Sequence, residues 1–490
     1  MLNKFSDFYI GQIATFKKVF EEKDFKLFEQ LSGDSNSLHW DKKYAKKSSF
    51  KKIIVPLQLT TAPLSKVAGM IFPGEPSLFL SNNVKAIKPV FYSEEITYSA
   101  RIEKISQSTK LLGIRVLAIR GKEIVIDAFI EVKVICEEWD QKKAIGVKHL
   151  SLKKSDQKLL ITGATGEIGR ATCVKLAREG FRLIIIYRNN DEKIKTLQEE
   201  LNKINKSHEY IRADLNEINF KEKLKIAFKS IDLSNGISGF IHIASPPVED
   251  KLENLVKINY TSLIEIIDTI IPFMLLRHKA SIIFLSSIAV LRHIDGWQDY
   301  IAAKTMATSF LSGINLKFSN YGLNCASIMP GLVQTNYSKK YRNNDVSLLP
   351  GEIAEEICKL LDEKPPELIK LEPNQRQTGN YIGGFVFNAP STDSSIKNNP
   401  QKSVDNKSLN EDLSIRNKLN SIFFNVIKIE EENCGENLSI ETNANWDSLS
   451  HFQLIAAIEN EFSIKFNSNE ISILTNYVSL LKTISEKCLD

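Results

Sequence analysis

The sequence predicts three folded blocks in one chain: an α+β block, a doubly wound α/β block with a parallel sheet, and a small all-α block. Three observations lead there. The chain has 490 residues, well beyond the ~100–200 residues of an ordinary domain. β-rich runs fill the first 138 residues, whereas from Lys158 a strand, a Gly-rich turn and a helix begin an alternation that only a parallel sheet with crossover helices accommodates. Past a stretch rich in Ser, Asn, Asp and Lys, the apolar spacing becomes helical.

In the first block (1–138), one helical pattern precedes the runs Ile96–Ile105, Leu111–Ile119 and Glu123–Val134, where Val, Ile, Tyr and Thr recur. A hydrophilic bridge follows, 141–157. In the second block (157–388), Leu159–Ile161, Leu183–Tyr187, Phe240–Ala244, Ser281–Ser286 and Leu323–Ile328 read as buried strands. Residues 389–410 read as a flexible linker. In the last block (411–490), Leu413, Ile415, Leu419, Ile422, Phe423 and Val426 share a helical face, and Leu454, Ile455, Ile458 and Phe462 form another.

Composition narrows the function classes. No segment reaches the ~20 uninterrupted apolar residues of a spanning helix, because Glu265 and Asp268 interrupt Leu263–Leu276. The N-terminus lacks an apolar signal region, so a cytoplasmic protein without a membrane span is expected. The six cysteines form no C-x-x-C pair, which indicates neither a metal site nor a disulfide framework. From Glu411 to Asp490 there are 13 acidic and 6 basic residues, a net −7 that leaves +12 on the rest. No basic–aromatic cluster is apparent, and no nucleic-acid partner is expected.

The chemistry-bearing motifs begin at Thr162-Gly163-Ala164-Thr165-Gly166-Glu167-Ile168-Gly169. Glycines after a strand permit a tight turn and close backbone approach to a pyrophosphate, and the following helix N-terminus supplies N–H donors. Tyr300 and Lys304 stand at i and i+4, one face of a helix. A neighbouring ammonium favours phenolate and lowers the tyrosine pKa toward acid–base use. Ser287 precedes Tyr300 by thirteen residues. Arg188 ends the second strand and Arg170 follows the turn; a guanidinium there suits a 2′-phosphate, which favours NADP, with NAD as the alternative.

On these residues, 157–388 resembles the short-chain dehydrogenase/reductase family, which implies a Rossmann-like fold. The resemblance implies that Ser287 holds the substrate carbonyl oxygen, Tyr300 donates the proton, and Lys304 holds the nicotinamide ribose. It makes Asn259 a proton-relay residue and Asp214, with Leu215, an adenine contact. Thr165, Gly166, Ile168 and Gly169 would line the pyrophosphate, and Pro330, Gly331 and Thr335 the nicotinamide loop. Glu167 stands where a glycine is usual, a spacing closer to the branch of the family that modifies sugar nucleotides.

Gly33-Asp34-Ser35-Asn36-Ser37-Leu38-His39, with Ile54-Val55 and Phe72-Pro73-Gly74, resembles the MaoC-like, R-specific enoyl-thioester hydratases. That implies a hot-dog fold, a helix wrapped by a curved antiparallel sheet. Asp34 and His39 would bracket a water, Asn36 would fix geometry and Ser65 would approach the substrate. Two departures stand out: Ser37 replaces a proline, and Pro56-Leu57 replaces the His-Gly whose backbone N–H holds the thioester oxygen.

Residues 411–490, with Asp447-Ser448-Leu449 ahead of an amphipathic run, resemble acyl or peptidyl carrier proteins. The resemblance implies an all-α four-helix carrier bundle with 4′-phosphopantetheine on Ser448, installed by a phosphopantetheinyl transferase. The combined expectation is a carrier-linked enzyme that reduces 3-oxoacyl thioesters with NADPH and hydrates or dehydrates the enoyl form. It would be a homo-oligomer passing its acyl group to a downstream acyl or condensing enzyme. Two alternatives stay open: a carrier and docking protein with a degenerate hot-dog domain, and a reductase of a non-thioester carbonyl such as a sugar.

Overall fold

The computed structural model describes residues 3–387 except 141–143, 190, 206, 293, 342–346, 363–364 and 382–384. Beyond 387 it describes 415, 418–420, 422–423, 426–427, 438–439, 446, 448–462, 464, 466 and 474–489. Residues 1–391 form one compact unit and 392–490 a second.

The first unit opens with a short strand β1 (Asn3–Lys4), then β2 (Ile13–Val19), α1 (Glu22–Ser32) and α2 (Lys42–Lys47). Helices α3 (Leu57–Thr61) and α4 (Pro63–Lys66) continue into a π-helical turn, Val67–Ile71. Strands β3 (Ser77–Ala86), β4 (Glu95–Ser106), β5 (Leu111–Arg120) and β6 (Glu123–Val134) follow, with β7 (Glu138–Trp139) and β8 (Lys148–Leu150) after them. An antiparallel sheet runs β3-β6-β5-β4-β2-β8, and β1 pairs with β7.

The period of two along these strands decides what each face buries. Ile96, Tyr98, Ala100 and Ile102 of β4, with Leu112, Ile114 and Val116 of β5, close over Leu64, Val67, Ala68 and Ile71 of the helical run. This is the expected hot-dog arrangement. Two details differ from the sequence reading. Strand β2 precedes the first helix, and the bridge contributes β8, so the sheet extends past 138 to Leu150. Strand β2 has Lys17 and Lys18 in succession and β8 is only three residues long, so neither shows a clear alternation.

The second sheet contains β9 (Lys158–Thr162), β10 (Arg182–Tyr187), β11 (Glu209–Arg212), β12 (Gly239–His242), β13 (Ala280–Leu285), β14 (Leu323–Pro330), β15 (Leu368–Glu372), β16 (Gln375–Tyr381) and β17 (Phe385–Phe387). Its order is β11-β10-β9-β12-β13-β14-β15-β16-β17, parallel as far as β15 and antiparallel beyond. Strand order reverses between β9 and β12, so a crevice opens at their carboxyl ends, where ligands bind in such sheets. The helices placed around it are α5 (Glu167–Arg178), α6 (Asp191–Ile204), α7 (Phe220–Lys229), α8 (Leu252–Val256), α9 (Ser262–Leu275), α10 (Gln298–Phe318) and α11 (Pro350–Asp362). The continuous helical run Leu252–Leu275 is by length and composition long and apolar enough to span a bilayer, although Glu265 and Asp268 interrupt it, and half of its most apolar window is buried. Leu263, Ile266, Ile267 and Ile270 pack in the core of this sheet.

The two sheets share a core. Leu117 and Ile119, on the face of β5 opposite the helical run, join Ile124 and the side chains of α9. The junction is polar at one point. Buried His278 places Nε2 3.0 Å from both the carbonyl and the hydroxyl of Ser99, and Arg101 donates to the His278 carbonyl at 3.1 Å. Ser99 in turn donates to the Leu276 carbonyl at 2.8 Å.

In the second unit, helix Ser448–Phe462 and helix Tyr477–Leu489 surround a core with Leu419, Phe423, Trp446, Leu454, Ile458 and Leu480. Trp446 packs edge-on to Phe423 at 5.0 Å and donates to His451 at 3.2 Å. Ser448 opens its helix as the sequence predicts. Asp447 and the linker 389–410 lie outside the described residues.

Candidate active sites

The Gly-rich turn closes because its glycines have no alternative. Gly163 has a φ of +76°, and a Cβ there would fall 2.5 Å from the Ala244 nitrogen; a Cβ on Gly169 would fall 2.1 Å from the Gly163 carbonyl oxygen. Turn, β12 and α5 therefore meet without side chains between them. Gly166 is the N-cap of α5, so the N–H groups of Glu167 and Ile168 have no acceptor within the helix and are available to an anion. The residues present fit a dinucleotide pyrophosphate.

Ser287, Tyr300 and Lys304 come together as the sequence implies. Ser287 follows β13, and its Oγ accepts from the Ala289 nitrogen at 3.1 Å. Tyr300 stands in the first turn of α10, hydrogen-bonded to Ser287 and Ser245. Lys304, 2% exposed, lies 5.7 Å from the Tyr300 ring and donates to the Leu285 carbonyl at 2.7 Å. One electrostatic expectation is corrected. Burial pushes the Tyr300 phenol up to about 12, opposed by Ser287 and Ser245 and not by Lys304. The Lys304 ammonium is itself pulled down to about 7 by burial. The phenol is thus a proton donor at neutral pH.

Asn259 sits in a π-helical turn, Lys257–Thr261, between α8 and α9. Its Nδ2 donates to the Leu255 carbonyl at 3.0 Å, while its buried Oδ1 has no partner. An orphaned acceptor here fits a relay water. The sequence reading missed the residue that holds this turn. His242, at the end of β12, donates from Nε2 to the Ile258 carbonyl at 3.0 Å and accepts at Nδ1 from Thr162 Oγ1 at 2.9 Å. Burial and nearby Lys304 push its pKa down to about 3, so it stays neutral. The available signal was a polar residue closing the apolar run Gly239–Ile241.

The remaining predicted cofactor residues are placed less uniformly. Arg188 is exposed at the end of β10. Arg170 turns to α6, where it pairs with Glu200 at 2.8 Å. Asp214 accepts from the Asn216 nitrogen, and Leu215 is buried in the core. Gly331 donates to the Leu371 carbonyl at 2.7 Å. Thr335 belongs to a loop tied across the crevice: Glu167 accepts from the Asn336 nitrogen at 2.6 Å, and the Tyr337 hydroxyl accepts from the Val248 nitrogen at 2.6 Å.

The second site lies in the hot-dog half, in a cleft of about 530 Å³ lined by Asp34, His39, Phe50, Pro56, Leu57 and Thr60 among others. His39 Nδ1 is 2.9 Å from the Ile54 carbonyl. A carbonyl only accepts, so Nδ1 carries the proton and Nε2 is the free acceptor. Nε2 stands 3.7 Å from Asp34 Oδ2, close enough for both groups to reach one water molecule. Asn36 is the local scaffold: its Oδ1 accepts from the Leu38 nitrogen, and its own nitrogen donates to Asp34. Leu57 and Gln58 line the cleft and open α3, so their N–H groups lack helical acceptors. Ser65 is exposed on α4 and does not line this cleft; Thr60 does. The expectation that the chain lacks a basic–aromatic cluster also fails here. Trp40, Tyr44 and Phe50 lie exposed among Lys42, Lys43, Lys46, Lys47, Lys51 and Lys52.

Residues 157–346 match the short chain dehydrogenase family, and residues 11–117 match the MaoC like domain. The chain joins a MaoC-like domain to a short-chain dehydrogenase domain. It is an NAD(P)-dependent oxidoreductase that also carries a hydratase-type domain. Similar proteins include the 17-beta-hydroxysteroid dehydrogenase type 3 of Mus musculus, 26% identical over 42% of this chain and 70% of that protein. The very-long-chain 3-oxoacyl-CoA reductase-B of Danio rerio is 25% identical over 37% of this chain and 60% of its own length. The (R)-specific enoyl-CoA hydratase of Rhodospirillum rubrum is 28% identical over 26% of this chain and 88% of its own length. With the two domains in one compact unit, the Tyr300 site and the Asp34–His39 cleft are two candidate centres of one enzyme.

Proposed function

We propose that the protein reduces 3-oxoacyl thioesters to 3-hydroxyacyl thioesters in its short-chain dehydrogenase domain and interconverts these with enoyl thioesters in its MaoC-like domain. The observation that carries this reading is the pairing itself: a Ser287–Tyr300–Lys304 constellation and an Asp34–His39 cleft in one unit. A 3-hydroxyacyl thioester is the product of one chemistry and the substrate of the other. The similarity to a 3-oxoacyl-CoA reductase and an (R)-specific enoyl-CoA hydratase supports it.

In the reductase site, bound NADPH supplies the hydride that reaches C3. Ser287 orients the C3 carbonyl oxygen, and Tyr300 passes its phenolic proton to that oxygen. Lys304 and the Asn259 turn return a proton to Tyr300. Arg188 at the end of β10 supports NADP over NAD. In the cleft, His39 Nε2 takes one proton from the water as the hydroxide adds to C3 and the double-bond electrons move into the thioester enolate; the imidazolium so formed, facing the Asp34 carboxylate, passes that same proton to C2. The N–H groups of Leu57 and Gln58 are placed to receive the thioester oxygen, so the Pro56-Leu57 departure keeps its backbone donors. Thr60 carries the hydroxyl assigned in sequence to Ser65.

We place the thioester on a carrier arm at Ser448. The resemblance of 411–490 to carrier proteins supports this, as does Ser448 opening a 15-residue helix. Co-expression with a phosphopantetheinyl transferase should add one arm by intact mass, lost in Ser448→Ala. NADPH oxidation with acetoacetyl-CoA and hydration of crotonyl-CoA test the two activities; an enzyme that does neither refutes the reading.

A further inference from the structure

The segment that leads from His39 to the cleft-lining Phe50 and on to Lys52 carries charge and exposed rings for which the hydration chemistry has no use. Lys42, Lys43, Lys46, Lys47, Lys51 and Lys52 fall within eleven residues, and all are exposed. Helix α2, which holds the first four, begins three residues after His39. Phe50, between Lys47 and Lys51, lines the cleft itself. Collar and catalytic pair therefore share one opening. Lys42 pairs with Glu22 at 2.8 Å, and Lys52 lies 5.9 Å from the Phe91 ring. Among the described residues, Lys43, Lys46, Lys47 and Lys51 make no ion pair. Trp40, two residues before Lys42, and Tyr44, after Lys43, are 51% and 54% exposed.

We infer that this collar is the docking surface for an acidic acyl-carrier domain, which delivers its thioester arm into the Asp34–His39 cleft. The inference rests on the carrier and hydratase reading above. Four unpaired ammonium groups beside the opening steer an acidic partner to it. The exposed rings add apolar area of the kind enriched at protein interfaces, which the phosphates of free coenzyme A would not use. The chain itself encodes a segment of the required chemistry. Residues 411–490 carry a net −7, and helix Ser448–Phe462 contains Glu459 and Glu461 and neither Lys nor Arg.

The test uses the full-length protein with a crotonyl-phosphopantetheine arm loaded on Ser448, as wild type and as the Lys43→Glu/Lys46→Glu/Lys47→Glu/Lys51→Glu variant. Hydration of the loaded arm should slow about five- to tenfold in the variant. The wild-type rate should fall as NaCl rises from about 50 to about 300 mM. Hydration of free crotonyl-CoA should change by less than about twofold in the variant, which also reports an intact fold. Equal losses on both substrates would mean that the collar holds coenzyme A phosphates, and no loss on either would mean a merely solvated face. A thymidine oligonucleotide bound by wild type and lost in the variant, with arm hydration unchanged, would make it a nucleic-acid surface. Each of these three results overturns the docking. Failure of Ser448 to accept an arm, or of wild type to hydrate crotonyl-CoA, instead removes the functional reading and the docking with it.

Discussion

The imidazole of His242 donates to the carbonyl of Ile258 at 3.0 Å, and so fastens a central strand to the π-helical turn that carries Asn259. Its other nitrogen takes the Thr162 hydroxyl at the start of the Gly-rich turn. One neutral ring thus sets the distance between the dinucleotide turn and the relay residue. His242→Asn, which reaches only one of the two partners, should lower kcat of ketoreduction about tenfold or more, the scale of a small displacement of catalytic groups. Binding of acetoacetyl-CoA should change little. Steady-state kinetics separate the two, and a pure KM effect would refute the clamp.

Tyr300→Phe should lose about 10²–10⁴ in ketoreductase rate, the range for one general acid, while crotonyl-CoA hydration persists. Lys304→Met should also stop reduction yet stabilise the fold at neutral pH. A lysine whose folded pKa is about 7, against 10.5 in the unfolded chain, must shed its proton to fold between those values. Wild-type stability therefore rises with pH from about 7 to about 10.5, and the gap to Lys304→Met, on the order of a few kcal/mol at neutral pH, narrows. Urea unfolding across that range measures it.

Asp34→Asn and His39→Ala should each lower hydration about 10²–10⁴-fold and leave NADPH-dependent reduction unchanged, because the two clefts share no side chain. Thr60→Val should lower hydration less, through substrate positioning. If reduction falls together with hydration, the two sites are coupled.

The junction between the two sheets should be acid-sensitive. Burial and neighbouring Arg101 push the His278 pKa down to about 3 from 6.5, so the ring is neutral in the fold. Its contribution is complete above about pH 6.5 and is lost as pH falls toward 3, since only the unfolded chain takes up the proton. At about pH 5 this amounts to roughly 2 kcal/mol. His278→Asn should flatten the loss of thermal stability between about pH 7 and pH 5.

Much of the site was legible because it depends on local spacing. Gly163 and Gly169, Tyr300 with Lys304, and Asp34 with His39 are each brought together by a single turn or helix, so their separations in sequence translate directly into distances. Strands β5, β6, β9 and β13 were legible for the same reason: apolar runs of the right length. Strands β2 and β8 were not. Their short or irregular patterns give no period of two, and only the pairing of β2 with β4 and of β8 with β2 makes them strands. Thr60 and not Ser65 lines the cleft because the helical run turns one face to it, and a count of residues does not say which.

By itself the sequence determined the MaoC-like and short-chain dehydrogenase domain types, the Gly-rich turn, the candidate Ser287–Tyr300–Lys304 grouping and the acidic charge of the last block, because these follow from motif, spacing and composition. Only the tertiary structure decided that the MaoC-like sheet packs its second face on α9, that His242 ties Thr162 to Ile258, and that Tyr300 and Lys304 are held as phenol and weakened base. Those depend on which distant groups share a low-dielectric interior, where burial outweighs the ion–ion attraction that spacing alone suggested.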